Sequence, residues 1–319
     1  MSPVRAALLG GTGFVGGALA RALAARGAEV RALARDPGRL ALPGVETIAG
    51  DLAALPAALF AHEPEVVLHF ATKQVDRDGS GFAENLRHAD ALCAALPGSV
   101  RLLLYGSSLS VAGQGPQRGE REEELPPRPG TALARSRLEV EEALRAAGAR
   151  AGFSVVCLRP RFVLGRGDAY TLPALLRLTR RGRTLGSGRQ AFSVIDVEDY
   201  AALALDLAER LRGAPPRARV LHVAYAAPLS LAEIQAALAD AFGLAPPARR
   251  LRLPGWLVDL AAALPLGGLA AQAVRYQLVG QDHHVSVDAL RELCGGEVVD
   301  KDPRLALAGA VAALQEAAA

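Results

Sequence analysis

The sequence predicts a doubly wound α/β fold with a smaller C-terminal lobe, and it does so on three observations. Short apolar runs of strand length alternate with helix-length amphipathic segments from the N-terminus onward, the pattern of repeated βα units around a parallel sheet. A glycine cluster, GGTGFVGG at 10–17, lies where the first apolar run meets the first amphipathic segment. From about Pro160 the alternation becomes irregular, with a Gly- and Arg-rich stretch at 165–189 and a mostly helical tail from Pro254. Such segments form a small lobe over the carboxyl ends of the strands in open α/β sheets.

The elements follow in order. VRAALL predicts a strand over Val4–Leu9, and the amphipathic stretch after it predicts a helix over Gly13–Ala25. EVRALA and VETIA predict strands at Glu29–Ala34 and Val45–Ala49, and EVVLHF predicts one at Glu65–Phe70. A helix over Gly81–Ala95 leads to VRLLLY at Val100–Tyr105, and a helix over Ala132–Ala147 leads to FSVVCL at Phe153–Leu158. VLHVA predicts a last strand at Val220–Ala224. The near-continuous apolar character of the central runs suits strands covered by helices on both faces. Between 113 and 130, GQGPQRGEREEELPPRPG reads as a polar loop with a solvated acidic run.

At 319 residues and 51% apolar composition the chain can bury a large core. No run of about 18 apolar residues is free of charge, and no basic region precedes an apolar segment at the N-terminus. The expectation is a cytoplasmic protein without a membrane span. The formal charge of +3 is too small for a dedicated nucleic-acid surface, and Arg180-Arg181 and Arg249-Arg250 read as solvated helix faces. Arginine dominates, Lys73 and Lys301 being the two lysines. Isolated Cys93, Cys157 and Cys294 argue against a disulfide framework or a thiolate site. His283-His284 lack further ligands at metal spacing, so no metal is expected.

Gly10, Gly13 and Gly16, with Phe14 and Val15 among them, fall in register between strand, helix and second strand. Glycines there let the backbone turn tightly and approach a pyrophosphate, whose charge lies at the helix N-terminus. The second strand ends in Ala34-Arg35, where NAD-binding versions carry a carboxylate for the adenosine ribose. An arginine fork suits a ribose 2′-phosphate, so NADP(H) is the preferred cofactor and NAD(H) the second choice. An ordinary surface role for Arg35 stays open. Asp51, followed by Leu52, is placed to accept from the adenine amino group or to cap a following helix. The organisation expected is a Rossmann-type dinucleotide-binding domain at 1–160 and a substrate-binding lobe at 161–319. The two interleave, with a further strand and helix of the first contributed by about 190–225.

These motifs together resemble the extended short-chain dehydrogenase/reductase family, which includes sugar-nucleotide epimerases, dihydroflavonol-type reductases and 3β-hydroxysteroid dehydrogenases. The resemblance spans nearly the whole chain. GGTGFVGG is similar to its glycine motif, and VVLHFAT at 66–72 is similar to its fourth-strand segment, which implies that Phe70, Ala71 and Thr72 line the cofactor. YGSSLSVAG resembles its SSxxVYG segment, implying Ser108 as the substrate-facing hydroxyl, with Ala112 replacing the segment's tyrosine. Asn85 falls where the family has an active-site asparagine. LRPRFVLGRGD resembles the loop from Arg159-Pro160 that passes the nicotinamide, and FSVIDVEDYAAL a later segment leading into a helix.

The family's proton donor is a tyrosine one helical turn before a lysine, YxxxK. In this chain PGTALARSRLEVEE places Leu133 at the tyrosine position and Arg137 at the lysine position. No other register restores the pair: residues four after Tyr105, Tyr170, Tyr200, Tyr225 and Tyr276 are Leu109, Ala174, Ala204, Leu229 and Gly280. The resemblance leaves Arg137 able to hold ribose hydroxyls but unable to release a proton at neutral pH.

The proton would then come from water, from the substrate's own acidic group or from a neighbouring side chain. Tyr170 follows the RP segment and is one candidate, with apolar packing as its alternative. His69 titrates in the useful range or packs under the cofactor, and Asp196 is a candidate or a hydrogen-bonded loop residue. The apolar stretch at 254–280 is similar to the C-terminal helices of the steroid-dehydrogenase branch, implying a hydrophobic small-molecule substrate; packing on the lobe's own core is the alternative. Three functions stay open. They are an NADPH-dependent reductase of a carbonyl or related group, possessing a non-standard proton donor; a non-catalytic NAD(P)-binding sensor; and, more weakly, an epimerase, isomerase or dehydratase. The family also implies a homodimer built through two helices.

Overall fold

The computed structural model describes residues 4–76, 81–254, 257, 258, 260, 261, 273, 274 and 276–318. Seven strands form one parallel sheet: β1 (Arg5–Leu9), β2 (Glu29–Ala34), β3 (Val45–Ala49), β4 (Val66–His69), β5 (Leu102–Gly106), β7 (Ser154–Pro160) and β12 (Ala218–Val223). A short strand, β6 (Gln117–Glu120), lies outside it. The spatial order is β12-β7-β5-β4-β1-β2-β3, so the winding reverses between β1 and β4. Open sheets of this kind leave a crevice beyond the carboxyl ends of the strands at such a point.

Both faces of the sheet are covered, which explains the unbroken apolar runs. Leu8, Leu68, Leu104 and Val156 pack with Leu19 and Leu23 of α1 (Phe14–Ala25). Their strand neighbours Leu9, Val67, Leu103 and Val155 point the other way. They meet Leu92 of α2 (Ala83–Ala95) and Val140 and Leu144 of α3 (Ala132–Ala151). This two-residue alternation sorts one set of side chains into two cores. On the first face α1 packs against α5 (Val197–Leu211), reached after α4 (Thr171–Arg180).

The mostly helical lobe also carries short strands. Besides α4 and α6 (Leu231–Ala241) it carries β8 (Phe162–Leu164), β9 (Arg183–Leu185), β10 (Ala191–Phe192), β11 (Val194–Asp196), β13 (Leu229–Ser230), β14 (Arg249–Leu251) and β15 (His283–Val285). Each is two or three residues long, too short for a two-residue period to register. The polar stretch 113–130 also contains a strand, since β6 pairs in parallel with β15. Further helices span Asp288–Cys294 and Pro303–Ala318. Most of the apolar segment expected at 254–280 lies outside the described residues.

Packing makes two histidines acid-sensitive. Burial, then the charge of His88, holds His69 down at about 4, and burial, then Arg161, holds His283 down at about 3. Both folded values lie below the unfolded value of about 6.5, so stability is intact above that pH and is lost as pH falls toward 4. At about 1.4 kcal/mol per pH step, His69 accounts for about 3 kcal/mol by pH 4. Thermal melts from pH 7 to 4 should therefore fall less steeply for His69→Gln than for the parent. Parallel curves would contradict this origin of acid lability.

Candidate functional site

A cavity of about 1280 Å³ opens at the winding reversal. Gly10, Gly13, Phe14, Val15 and Gly16 line it from the turn after β1, Arg35 from the end of β2, and Asp51 and Leu52 from the end of β3. Phe70, Ala71 and Thr72 line it after β4, Arg137 from α3 and Pro160 from the end of β7. The structure thus brings every residue expected around the cofactor to one cavity.

The glycine turn fits a dinucleotide. Gly10 adopts φ +95°, which disfavours L side chains, and a Cβ there would lie 2.6 Å from the Phe70 backbone. A Cβ on Gly16 would collide with the Gly10 carbonyl. The helix α1 begins at an N-cap, Gly13, that supplies no side-chain cap, so its first amides remain available to an anion. Arg35 is exposed and makes no hydrogen bond or ion pair among the described residues. The adjacent carboxylate, Asp36, is already used, accepting from Gly38 N at 3.1 Å. Asp51 accepts from Ala53 N at 2.8 Å and closes a turn; no helix begins there, since the next element is a 3-10 turn at Ala57–Phe60. Its expected capping role becomes that of a turn residue.

At the other end Ser108 follows β5 and begins the turn Leu109–Ala112, its Oγ accepting from Ser110 N at 3.2 Å. Arg137 Nη1 donates to Ser110 Oγ at 3.4 Å, while its enclosed Nε lacks a partner. Burial lowers the Arg137 pKa, and the phenols of Tyr105 and Tyr200 partly offset this. One helical turn later, Glu141 forms a buried brace: Arg159 donates to its two oxygens at 2.9 and 2.5 Å, and Ser107 Oγ donates at 2.5 Å. That brace fixes the residue next to Ser108. Fully buried charges need this degree of pairing.

Other candidates fare differently. Asn85 is buried beneath the cavity rather than lining it: it accepts from Lys73 N at 2.8 Å and donates to Lys73 O and Ser136 Oγ. It is therefore a positioning residue for the 71–76 loop. Tyr170 reaches the cavity rim but is 59% exposed. The His69 ring lies tilted 5.4 Å from that of Tyr105 and does not line the cavity. Asp196 caps α5, accepting from Glu198 N at 2.8 Å, and burial raises its pKa.

Lys73, Tyr200 and Arg161 are among the lining side chains that sequence reasoning missed. Lys73 places its Nζ 3.4 Å from Glu84 and 3.6 Å from Asp76; being one of two lysines in an arginine-rich chain was the available signal. Tyr200, 2% exposed, packs edge-on against Phe70 at 5.9 Å with an enclosed hydroxyl that has no hydrogen-bond partner among the described residues. Arg161, just past Pro160, also lines the cavity. Nothing in their local pattern separates Tyr200 or Arg161 from ordinary helix and loop positions.

Among the described residues there is no metal-ligand cluster and no helix long and apolar enough to cross a membrane. The model of the NAD dependent epimerase/dehydratase family matches residues 6–221. The 2-alkyl-3-oxoalkanoate reductase of Stenotrophomonas maltophilia (strain K279a) is 31% identical over 247 residues, spanning 73% of this chain and 74% of that protein. A 4-hydroxy-2-methyl-3-oxo-4-farnesyl-3,4-dihydroquinoline-1-oxide ketoreductase of Stigmatella aurantiaca is 28% identical over 76% of this chain and 74% of its own. In fold, the chain is similar to MoeE5 in complex with UDP-glucose and NAD, with TM-score 0.73 and 23% identity across 99% of this chain and 100% of that one. With the family model spanning the sheet and the residues that line its cavity, the chain belongs to the NAD dependent epimerase/dehydratase family.

Proposed function

We propose that the protein is an NADPH-dependent reductase of a carbonyl or related group in a hydrophobic small molecule, working with a non-standard proton donor. The carrying observation is that Ser108 and Arg137 line the same cavity as the glycine turn. The names of two relatives, an oxoalkanoate reductase and a ketoreductase, point the same way. The cofactor supplies a hydride when bound. The amides at the start of α1 would hold its pyrophosphate, Arg35 a ribose 2′-phosphate, and Arg137 the nicotinamide ribose.

In this reading Ser108 orients the substrate oxygen and passes it a proton drawn from water in the open cavity, while Tyr170 contacts the substrate at the mouth. Product formation should add two hydrogens to a hydrophobic ketone with stoichiometric NADPH oxidation. Mass spectrometry of the product checks this, and NADPH that stays reduced with every carbonyl compound offered would favour the sensor reading. That second reading has one observation behind it, the absence of any YxxxK. The NADP(H) preference is tested separately: Arg35→Ala should weaken NADPH about tenfold or more, the scale of one charge-assisted contact. NADH affinity should hardly change, and equal losses would remove the 2′-phosphate role.

A further inference from the structure

Arg161 follows the end of β7 and lines the cavity beside Pro160 and Val163. Its Nη2 donates to Leu278 O at 3.0 Å, and the guanidinium lies 5.2 Å from the centre of the Phe162 ring. Among the described residues its Nε is enclosed without a partner, Nη1 makes no hydrogen bond, and no carboxylate pairs with it. Arg159, two residues earlier and buried, shows the contrast: Glu141 grips it with both oxygens. A desolvated guanidinium without a counter-anion is costly, and a folded chain retains one where a ligand supplies the charge. Burial pulls its pKa down to about 10, which still leaves it charged at neutral pH. The neighbouring His283 is neutral there, so it adds no positive charge beside Arg161.

We propose that Arg161 is the anion-binding end of the substrate site and that the anion is a carboxylate of the compound reduced, which is therefore a hydrophobic oxo acid. The guanidinium fork matches a carboxylate in two parallel hydrogen bonds, which fixes the molecule along the cavity with its carbonyl toward Ser108. The oxo-acid class rests on the reductase reading; the carboxylate contact itself does not.

Two measurements separate these. Decanoate and methyl decanoate, both unreactive here, are titrated calorimetrically into the full chain saturated with NADP+, alongside 3-oxodecanoate and methyl 3-oxodecanoate as substrates with NADPH. Decanoate should bind at least tenfold more tightly than its ester, and Arg161→Met should weaken decanoate about 100-fold while leaving NADP+ affinity unchanged. The oxo acid should likewise exceed its ester in kcat/KM, with the variant's loss falling mainly on KM for the acid. Decanoate binding that depends on Arg161 without any turnover would uphold the carboxylate site and sink the reductase reading. Reduction of acid and ester alike, with Arg161→Met affecting both equally, would do the reverse. Weakened NADP+ binding in the variant would overturn the proposal by making Arg161 a cofactor contact. Acid-versus-ester preference in the parent protein supplies the test if Arg161→Met does not fold, and Arg161→Lys, which keeps the charge but loses the fork, should then be intermediate.

Discussion

Gly13→Asp should abolish dinucleotide binding, lowering affinity for NADPH at least 100-fold while leaving the fold intact. Gly13 caps α1 with φ −86° and ψ 175°, an extended conformation open to any residue. A Cβ there would lie 3.2 Å from the Gly10 carbonyl, a contact relieved by a shift of a few tenths of an ångström. Aspartate is moreover a favoured N-cap, so its carboxylate can accept the free amides of the first turn and stabilise the helix by about a few tenths of a kcal/mol relative to glycine. The same carboxylate would occupy the anion position and repel a pyrophosphate. A melting temperature equal to or above the parent's, combined with no detectable NADPH binding by calorimetry, is the expected pair of results. Undiminished binding would remove the glycine turn from the site.

Ser108→Ala should lower kcat about 10² to 10³-fold, the usual loss when one donor to a developing oxyanion is removed. NADPH affinity should stay within about twofold, because the serine lies at the end of β5 away from the glycine turn and Arg35. The substitution forfeits the 3.2 Å bond to Ser110 N, worth about 1 kcal/mol as a cap, so the protein should remain folded. Steady-state rates on a ketone substrate with a parallel NADPH titration distinguish this from a general loss of structure. Full activity would show that the reacting carbonyl lies elsewhere.

The parallel sheet was legible because its strands are buried on both faces and carry apolar runs that need no partner to be recognised. All seven of its strands begin and end within two residues of where VRAALL, EVRALA, VETIA, EVVLHF, VRLLLY, FSVVCL and VLHVA place them. The cofactor half of the cavity was legible for a related reason: its residues occupy the turns directly after those strands, so locating a strand end locates a lining residue. The substrate half was not. Asn85 acts through the Lys73 backbone, a contact between α2 and a loop that no local pattern encodes. Tyr200 and Arg161 reach the cavity from α5 and the β7–β8 connection, and their roles depend on which neighbours lack a counter-charge or hydrogen-bond partner. The strand β6 was hidden by its composition, since Gln117–Glu120 is polar and pairs with a segment more than 160 residues away.

The chain has no YxxxK pair, Ser108, Lys73 and Arg137 line its cavity, and the first question is whether that cavity holds a nucleotide. Calorimetric titration of the purified protein with NADPH and, in parallel, NADH tests that most directly. Saturable one-site binding with NADPH preferred over NADH is the predicted result. Absence of binding by either nucleotide would contradict the cofactor site and the reductase function built on it.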